Sequence, residues 1–241
     1  MGDYYIFGDA SDGVTVSRLV RDFSINSREE LDAHLMSHPE EMGRYIDLNL
    51  HYLPTASGPA LGSLLPIIDA AAASSGIRPR ISTISTLEAD LFKTVNVVYV
   101  GFLSGLGPLQ APLFRASGFK IGANYDELID KASGRHFKSD WGLVADGKVP
   151  QRDYGYLASL PGPAGNRIII VAGTRDAAVA QMAEVSVDKQ QLDTIDARSG
   201  GGAFEALFEV RTLGNLNLGS SLVLVRPIHA DKIWQPDRAG E

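Results

Sequence analysis

The residues best placed to do chemistry stand where two strongly apolar runs end. Ile168-Ile169-Ile170-Val171-Ala172 leads into Gly173-Thr174-Arg175-Asp176, and Val97-Val98-Tyr99-Val100 leads into Gly101-Phe102-Leu103-Ser104-Gly105. A buried strand that passes through glycine into a helix leaves free backbone N–H groups and the positive end of the helix dipole at its C-terminal edge. An anionic or polar ligand is favoured there. Gly173, Thr174 and Arg175 are therefore candidate ligand contacts, with a simple capped turn as the competing reading. Asp176 suits the first helical turn. Arg175 gains nothing from it, so an arginine at this point suits an anionic partner, either a ligand or a carboxylate of the chain itself. The stretch lacks the G-x-x-x-x-G-K-[ST] pattern of a nucleoside-triphosphate loop and the G-x-G-x-x-G pattern of dinucleotide folds.

After the second run, Gly101 and Gly105 allow close approach to the backbone. Ser104 offers a hydroxyl for a ligand hydrogen bond or, under an enzymatic reading, a nucleophile. Its frame is G-x-x-S-G rather than G-x-S-x-G, so the match to a hydrolase nucleophile elbow fails by one residue. Thr55, Ser57 and Gly58 form a third strand-to-helix loop. Three such loops on one sheet edge would converge on a crevice, which makes Gly101, Ser104, Gly105, Gly173, Thr174, Arg175 and Ser57 the expected ligand-binding set.

Other candidates are thinner. Histidines 34, 38, 51, 136 and 229 show no H-E-x-x-H or similar metal spacing, and the chain has no cysteine. No metal and no cofactor are expected, and thiolate chemistry and disulfides are excluded. Asp47 and His51 share parity on one strand but lack a third catalytic group. The segments Asp153-Tyr154-Gly155-Tyr156 and Pro161-Gly162-Pro163-Ala164-Gly165-Asn166-Arg167 bracket a strand with a rigid loop that either approaches a ligand or only connects.

Behind these residues stand the elements that must hold them. Tyr4–Phe7, a turn at Asp9–Gly13 and a return within Val14–Phe23 suggest a hairpin. Ser27 with Glu30 is a capping box for a helix over 28–37. Tyr45–Leu53 reads as a strand. Leu61, Leu64, Leu65, Ile68 and Ala72 form the apolar stripe of a helix that Gly76 stops. Arg78–Ile84 reads as a short strand, and Ser85 with Glu88 as a capping box for a helix to Lys93. With the run from Val95 to Phe102, residues 45–102 alternate strand and helix, which implies right-handed βαβ units.

A hairpin around Lys131–Arg135 and a turn at Asp146-Gly147 mark a β-rich insertion over 118–150. Strands at Tyr154–Leu160, Arg167–Ala172, Phe204–Val210 and Ser221–Ile228, with a helix from Asp176, complete the chain. The expected fold is α/β, a largely parallel sheet with flanking helices, Rossmann-like or periplasmic-binding-like. It carries a β-hairpin insertion, in one domain over 1–241 or in two closely packed lobes.

Composition narrows the function. With 44% apolar and 21% charged residues the chain reads as an ordinary packed protein rather than a disordered or fibrous one. A net charge of −7 without a Lys/Arg cluster argues against direct nucleic-acid contact. No run approaches a membrane span, and the start lacks the basic and apolar regions of a signal peptide, so the cytoplasm is the expected location.

The residues Val97–Gly101 through Ser104-Gly105, with Asp153–Tyr156 and Gly165–Arg167 through Ala172–Asp176, resemble an uncharacterised bacterial domain that follows a winged-helix DNA-binding segment. The resemblance spans most of the chain. It implies a regulatory, ligand-sensing role in transcription, with the DNA-binding segment outside these residues. The leading expectation is a non-catalytic sensor of a small, anionic or polar ligand. The alternatives are a hydrolase or transferase using Ser104, and a structural dimerisation module, in either case compatible with a homodimer.

Overall fold

The computed structural model describes residues 1–140, 148–214 and 216–234. The chain forms two compact units, Asp3–Pro54 and a larger one made of Met1–Gly2 with Thr55 onward.

In the smaller unit, β1 (Tyr4–Asp9) lies between β2 (Arg18–Val20) and β3 (Tyr45–Tyr52), antiparallel to both. Helix α1 (Arg28–Ser37) starts as its capping residues dictate. The Ser27 hydroxyl accepts from the Glu30 N–H at 3.1 Å, while the Glu30 carboxylate reaches back to the Asn26 N–H at 2.5 Å. Tyr5, Phe7, Ile25 and Leu31 form the core here.

The larger unit is built on a five-stranded sheet of order β11-β10-β8-β9-β4, with β4 (Val97–Phe102), β8 (Gln151–Pro161), β9 (Arg167–Gly173), β10 (Phe204–Leu213) and β11 (Leu216–Pro227). Only β4 and β9 run parallel; every other neighbouring pair in this sheet is antiparallel. A second, antiparallel sheet joins β5 (Phe119–Ile121), β6 (Glu127–Asp130) and β7 (His136–Lys138), and contains the expected hairpin. The expected turn at Asp146-Gly147 lies outside the described residues.

Strand alternation sorts the main sheet into two faces. Tyr154, Tyr156, Ala158, Leu160, Ile168, Ile170 and Ala172 point into a core shared with the short helix α3 (Gln110–Ala116) and the small sheet, through Leu113, Phe119, Leu128 and Phe137. The other face, which carries Gly155 and Gly173, receives α4 (Asp176–Val185), with α5 (Lys189–Ser199) following it. Helix α2 (Ser57–Ser75) packs against α4 through its N-terminal half, where Ala60 and Leu64 are buried, and ends at Gly76 with φ 69°.

The expected largely parallel, Rossmann-like or periplasmic-binding-like sheet is therefore overturned by a mixed sheet with one parallel pair. Residues 45–102 form no βαβ series. The strand Tyr45–Tyr52 pairs instead with β1, where Tyr4–Tyr52 and Phe7–Tyr45 ring contacts fix the register. Arg78–Ile84 forms no strand, since Pro79 offers no N–H to a ladder and the segment is largely exposed. In place of a helix after Ser85 there are two 3-10 turns, Ile84–Thr86 and Ala89–Lys93, parted by extended backbone at Leu87 and Glu88. The five-residue link Gly162–Asn166 between β8 and β9 is far too short for a crossover, so that pair must be antiparallel. Among the described residues no helix is long and apolar enough to cross a membrane.

Candidate functional site

The parallel pair brings the two apolar runs side by side, with Gly101 opposite Ala172 and Phe102 opposite Gly173. Both strands end at the same edge, where β8, running the other way, begins. A cluster of polar and ionisable side chains collects at that edge from Asp126, Ser139, Asp153, Thr174, Arg175 and Asp176.

Thr174 locks the strand ends together. Its N–H donates to the Tyr154 carbonyl at 2.9 Å, while its hydroxyl accepts from the Tyr154 N–H at 3.0 Å and donates to Asp153 at 3.3 Å. The buried Asp153 carboxylate also accepts from the Ser139 hydroxyl at 2.6 Å. Burial pushes the Asp153 carboxyl above the ordinary carboxylate range, against the opposing pull of Ser139, Thr174 and the Arg175 charge, and the nearby Asp126 charge adds to the rise.

Arg175 is the N-cap residue of α4, with extended backbone, and its guanidinium meets the Asp126 carboxylate at 2.6 Å. The two side chains are only 10% and 14% exposed, so this is a largely desolvated ion pair. Asp176 opens α4, yet its carboxylate turns to α2, accepting from the Ala56 N–H at 2.8 Å and from the Thr55 hydroxyl at 3.3 Å. Ala56, the N-cap residue of α2, has no side chain to cap with, and a carboxylate 120 positions later supplies the acceptor instead.

The remaining expected site residues fall as follows. Ser104 and Gly105 lie in a buried 3-10 turn, Leu103–Gly105, and Ser104 makes no side-chain hydrogen bond among the described residues. Ser57 is buried in the first turn of α2, and its hydroxyl has no partner among the described residues. The glycines have occupants of their own. A Cβ on Gly101 would come within 2.9 Å of the Gly2 backbone, whose N–H donates to the Val100 carbonyl at 2.8 Å. A Cβ on Gly173 would meet Ala178 and the Val179 nitrogen at 2.7 Å.

The loop before Arg167 acts as an anchor. The Asn166 amide donates to the carbonyls of Phe92 at 3.0 Å and Val95 at 2.6 Å. In the smaller unit Asp47 accepts from the Tyr5 hydroxyl at 2.8 Å, His51 packs edge-on to the same ring, and His34 pairs with Glu41 at 2.7 Å while stacking on His38. Among the described residues no group of three His, Asp or Glu is placed to hold a metal ion.

Sequence reading missed a second polar centre. Glu205, buried on β10, accepts from Gly118 N–H at 2.8 Å and Arg226 Nε at 2.5 Å on one oxygen, and from the hydroxyls of Ser117 at 2.5 Å and Tyr156 at 2.7 Å on the other. Arg226 also meets Asp130 at 2.6 Å and lies over the Phe119 ring. Burial and the Glu205 charge raise the Tyr156 hydroxyl well above its usual range. A charged residue at an inward position of a strand was the available signal. Its partners come from three other segments, which no spacing rule connects.

A hollow of ≈ 230 Å³ lies against Phe92, Pro108, Leu109, Pro112 and Trp234, below the roughly 300–1,000 Å³ of sites that enclose a drug-sized ligand. No protein-family model, curated protein or solved structure matches this chain.

Proposed function

We propose that the chain is a non-catalytic ligand-sensing module whose ligand, a small carboxylate or phosphate, engages Arg175 at the shared edge of β4, β8 and β9. The observation that carries this reading is the buried Asp153 and Arg175 and the half-buried Asp126 gathered where the parallel pair ends. Burying charges costs several kcal/mol per ion even after relaxation, and apolar side chains of similar volume give equal or better stability. A cluster retained at such expense, at the strand edge where open sheets take ligands, is better explained by binding than by support of the fold.

In this reading Asp126 is the internal occupant of the anion position. An arriving carboxylate or phosphate takes over the Arg175 guanidinium and frees Asp126 on the stretch between β5 and β6. The exchange would couple occupancy to the small sheet, because the Asp126 carbonyl also accepts from the Ser139 N–H at 2.8 Å. Any such coupling is limited to the ligand's differential affinity for the two arrangements.

The test is a thermal-shift and calorimetric series with inorganic phosphate, mono- and dicarboxylates and nucleotides. At a concentration of 100 Kd a bound anion should stabilise the protein by about 2.7 kcal/mol. Arg175→Ala should remove that response, and Asp126→Asn should strengthen it by deleting the competing carboxylate. Failure of every anion to shift the wild type, with Arg175→Ala and Asp126→Asn equally destabilised, would mean the pair is purely structural.

A further inference from the structure

The Pro/Gly link between β8 and β9 holds aromatic side chains from two distant segments. At one end the Pro161 carbonyl accepts from the Trp234 indole N–H at 2.9 Å. At the other the Asn166 amide donates to the carbonyls of Phe92 at 3.0 Å and Val95 at 2.6 Å. Trp234 and Phe92 are two walls of the hollow of ≈ 230 Å³, and two more are Pro108, in the 3-10 turn before α3, and Pro112, inside α3. The fold thus sets these walls in advance, which removes part of the ordering cost that binding otherwise carries. Among the described residues, two charged side chains line the hollow, Lys93 and Arg115, and both are cations. Arg115, half-buried in the last turn of α3, donates to the Ile233 carbonyl at 3.4 Å, which keeps it beside the hollow. Lys93 pairs with Asp90 at 2.7 Å, but both partners are exposed, and a pair of that kind contributes little.

We infer that this hollow is a binding site for a small aromatic carboxylate, a single ring of benzoate size whose carboxylate pairs with Arg115. It is separate from the anion position at Arg175, with which it shares no residue. Size sets the first limit. An apolar cavity of about 150 Å³ takes benzene, so this hollow suits one ring with one short substituent. The Phe92, Trp234 and proline walls favour a planar ring, which packs edge-on or offset against aromatic faces. Charge sets the second limit, because a guanidinium stays protonated and its planar fork matches a carboxylate. The apolar walls select against inorganic phosphate, which fills none of them, and the two cations select against a neutral ring. Asn166 is a positioning residue in this site, acting through Phe92.

The experiment is a fluorescence titration of the full chain, with calorimetry on the wild type as a check. The chain has two tryptophans, so Trp141→Phe leaves Trp234 as the single indole reporter. Benzoate should change the Trp234 emission saturably, with a Kd of about 1 mM or tighter. Benzamide, the neutral match in shape, should bind at least about tenfold more weakly, and acetate and inorganic phosphate should leave the emission unchanged. This comparison of ligands needs no variant that must fold. Arg115→Gln should weaken benzoate about tenfold and bring its affinity to that of benzamide, whereas Asn166→Ala should weaken both ligands alike by loosening the Phe92 wall. No saturable response to benzoate by about 10 mM, or equal affinity for benzoate and benzamide in the wild type, would overturn the assignment. So would a benzoate response that survives Arg115→Gln and is lost in Arg175→Ala, which would place the carboxylate at the strand edge instead.

Discussion

Replacing Gly173 by alanine separates two explanations of why a glycine ends β9. The residue does not have a positive φ, so the backbone itself tolerates a side chain. Its obstacle is α4, because an added Cβ would lie 2.7 Å from the Ala178 Cβ, 2.7 Å from the Val179 nitrogen and 2.8 Å from the Ala178 carbonyl carbon. Non-bonded carbon contacts settle at about 3.5–4.0 Å, so the first turns of α4 would have to retreat by close to 1 Å. That helix carries the buried Ala178, Val179, Met182, Ala183 and Val185, so the shift disturbs the whole layer.

Overpacking of this kind costs about 1–3 kcal/mol, and two of the three clashing atoms are backbone, which favours the upper part of the range. Loss of a glycine from the unfolded chain returns only about 0.4–1 kcal/mol. A net loss near 2 kcal/mol should lower the melting temperature by about 4–8 °C in a chain of this size. Gly155→Ala is the control. Its Cβ would meet Met182 Cγ, Sδ and Cε at 2.6–2.7 Å, atoms of a flexible side chain that can move aside, so its cost should be smaller, about 1 kcal/mol or less. Urea unfolding followed by far-ultraviolet circular dichroism measures both. Equal costs for the two substitutions, or a neutral Gly173→Ala that abolishes binding of an anion, would refute the packing argument and return Gly173 to ligand contact.

Three further outcomes follow from the polar groups. Asp176→Ala should cost about 0.5–2 kcal/mol by uncapping α2, and hydrogen exchange should rise at the first turn of α2 rather than of α4; exchange confined to α4 would contradict this. Asp153 has its folded pKa raised by burial, so its charge opposes folding above that pKa, and the penalty shrinks as pH falls through the folded pKa and is gone below the unfolded value of about 4. Asp153→Asn, whose amide oxygen can still accept from Ser139 and Thr174, should therefore raise the melting temperature at neutral pH, with the gain shrinking toward about pH 3; a gain independent of pH would refute the burial argument. Glu205→Ala leaves the Ser117, Gly118 and Tyr156 donors without their acceptor and the half-buried Arg226 with Asp130 alone, and should cost about 3–5 kcal/mol, against about 1 kcal/mol for Tyr156→Phe, and similar values in urea unfolding would mean that the network is not centred on the carboxylate.

Many local elements were legible in the sequence through short-range rules, although the Ser85 and Glu88 pattern that suggested a helix gave only 3-10 turns. Ser27 and Glu30 began α1, Gly76 ended α2, and the alternation of Tyr154 to Leu160 and the Ile168–Val171 run marked β8 and β9, because caps and strand faces depend on neighbours a few residues away. Even the antiparallel β8–β9 pair was readable from the five residues of Gly162–Asn166, though the βαβ rhythm of residues 45–102 obscured it. Tertiary structure alone decided that Tyr45–Tyr52 would pair with β1, since strand propensity states that a segment will pair and not with what. It alone decided the partners of the charged groups. Arg175 near a helix start announced an anion, but only folding brought Asp126 to 2.6 Å of it and set Asp176 on the N-terminus of α2. Coulombic and hydrogen-bond contacts depend on separation in space, and residues 49 and 120 positions apart acquire that separation only when the sheet is assembled.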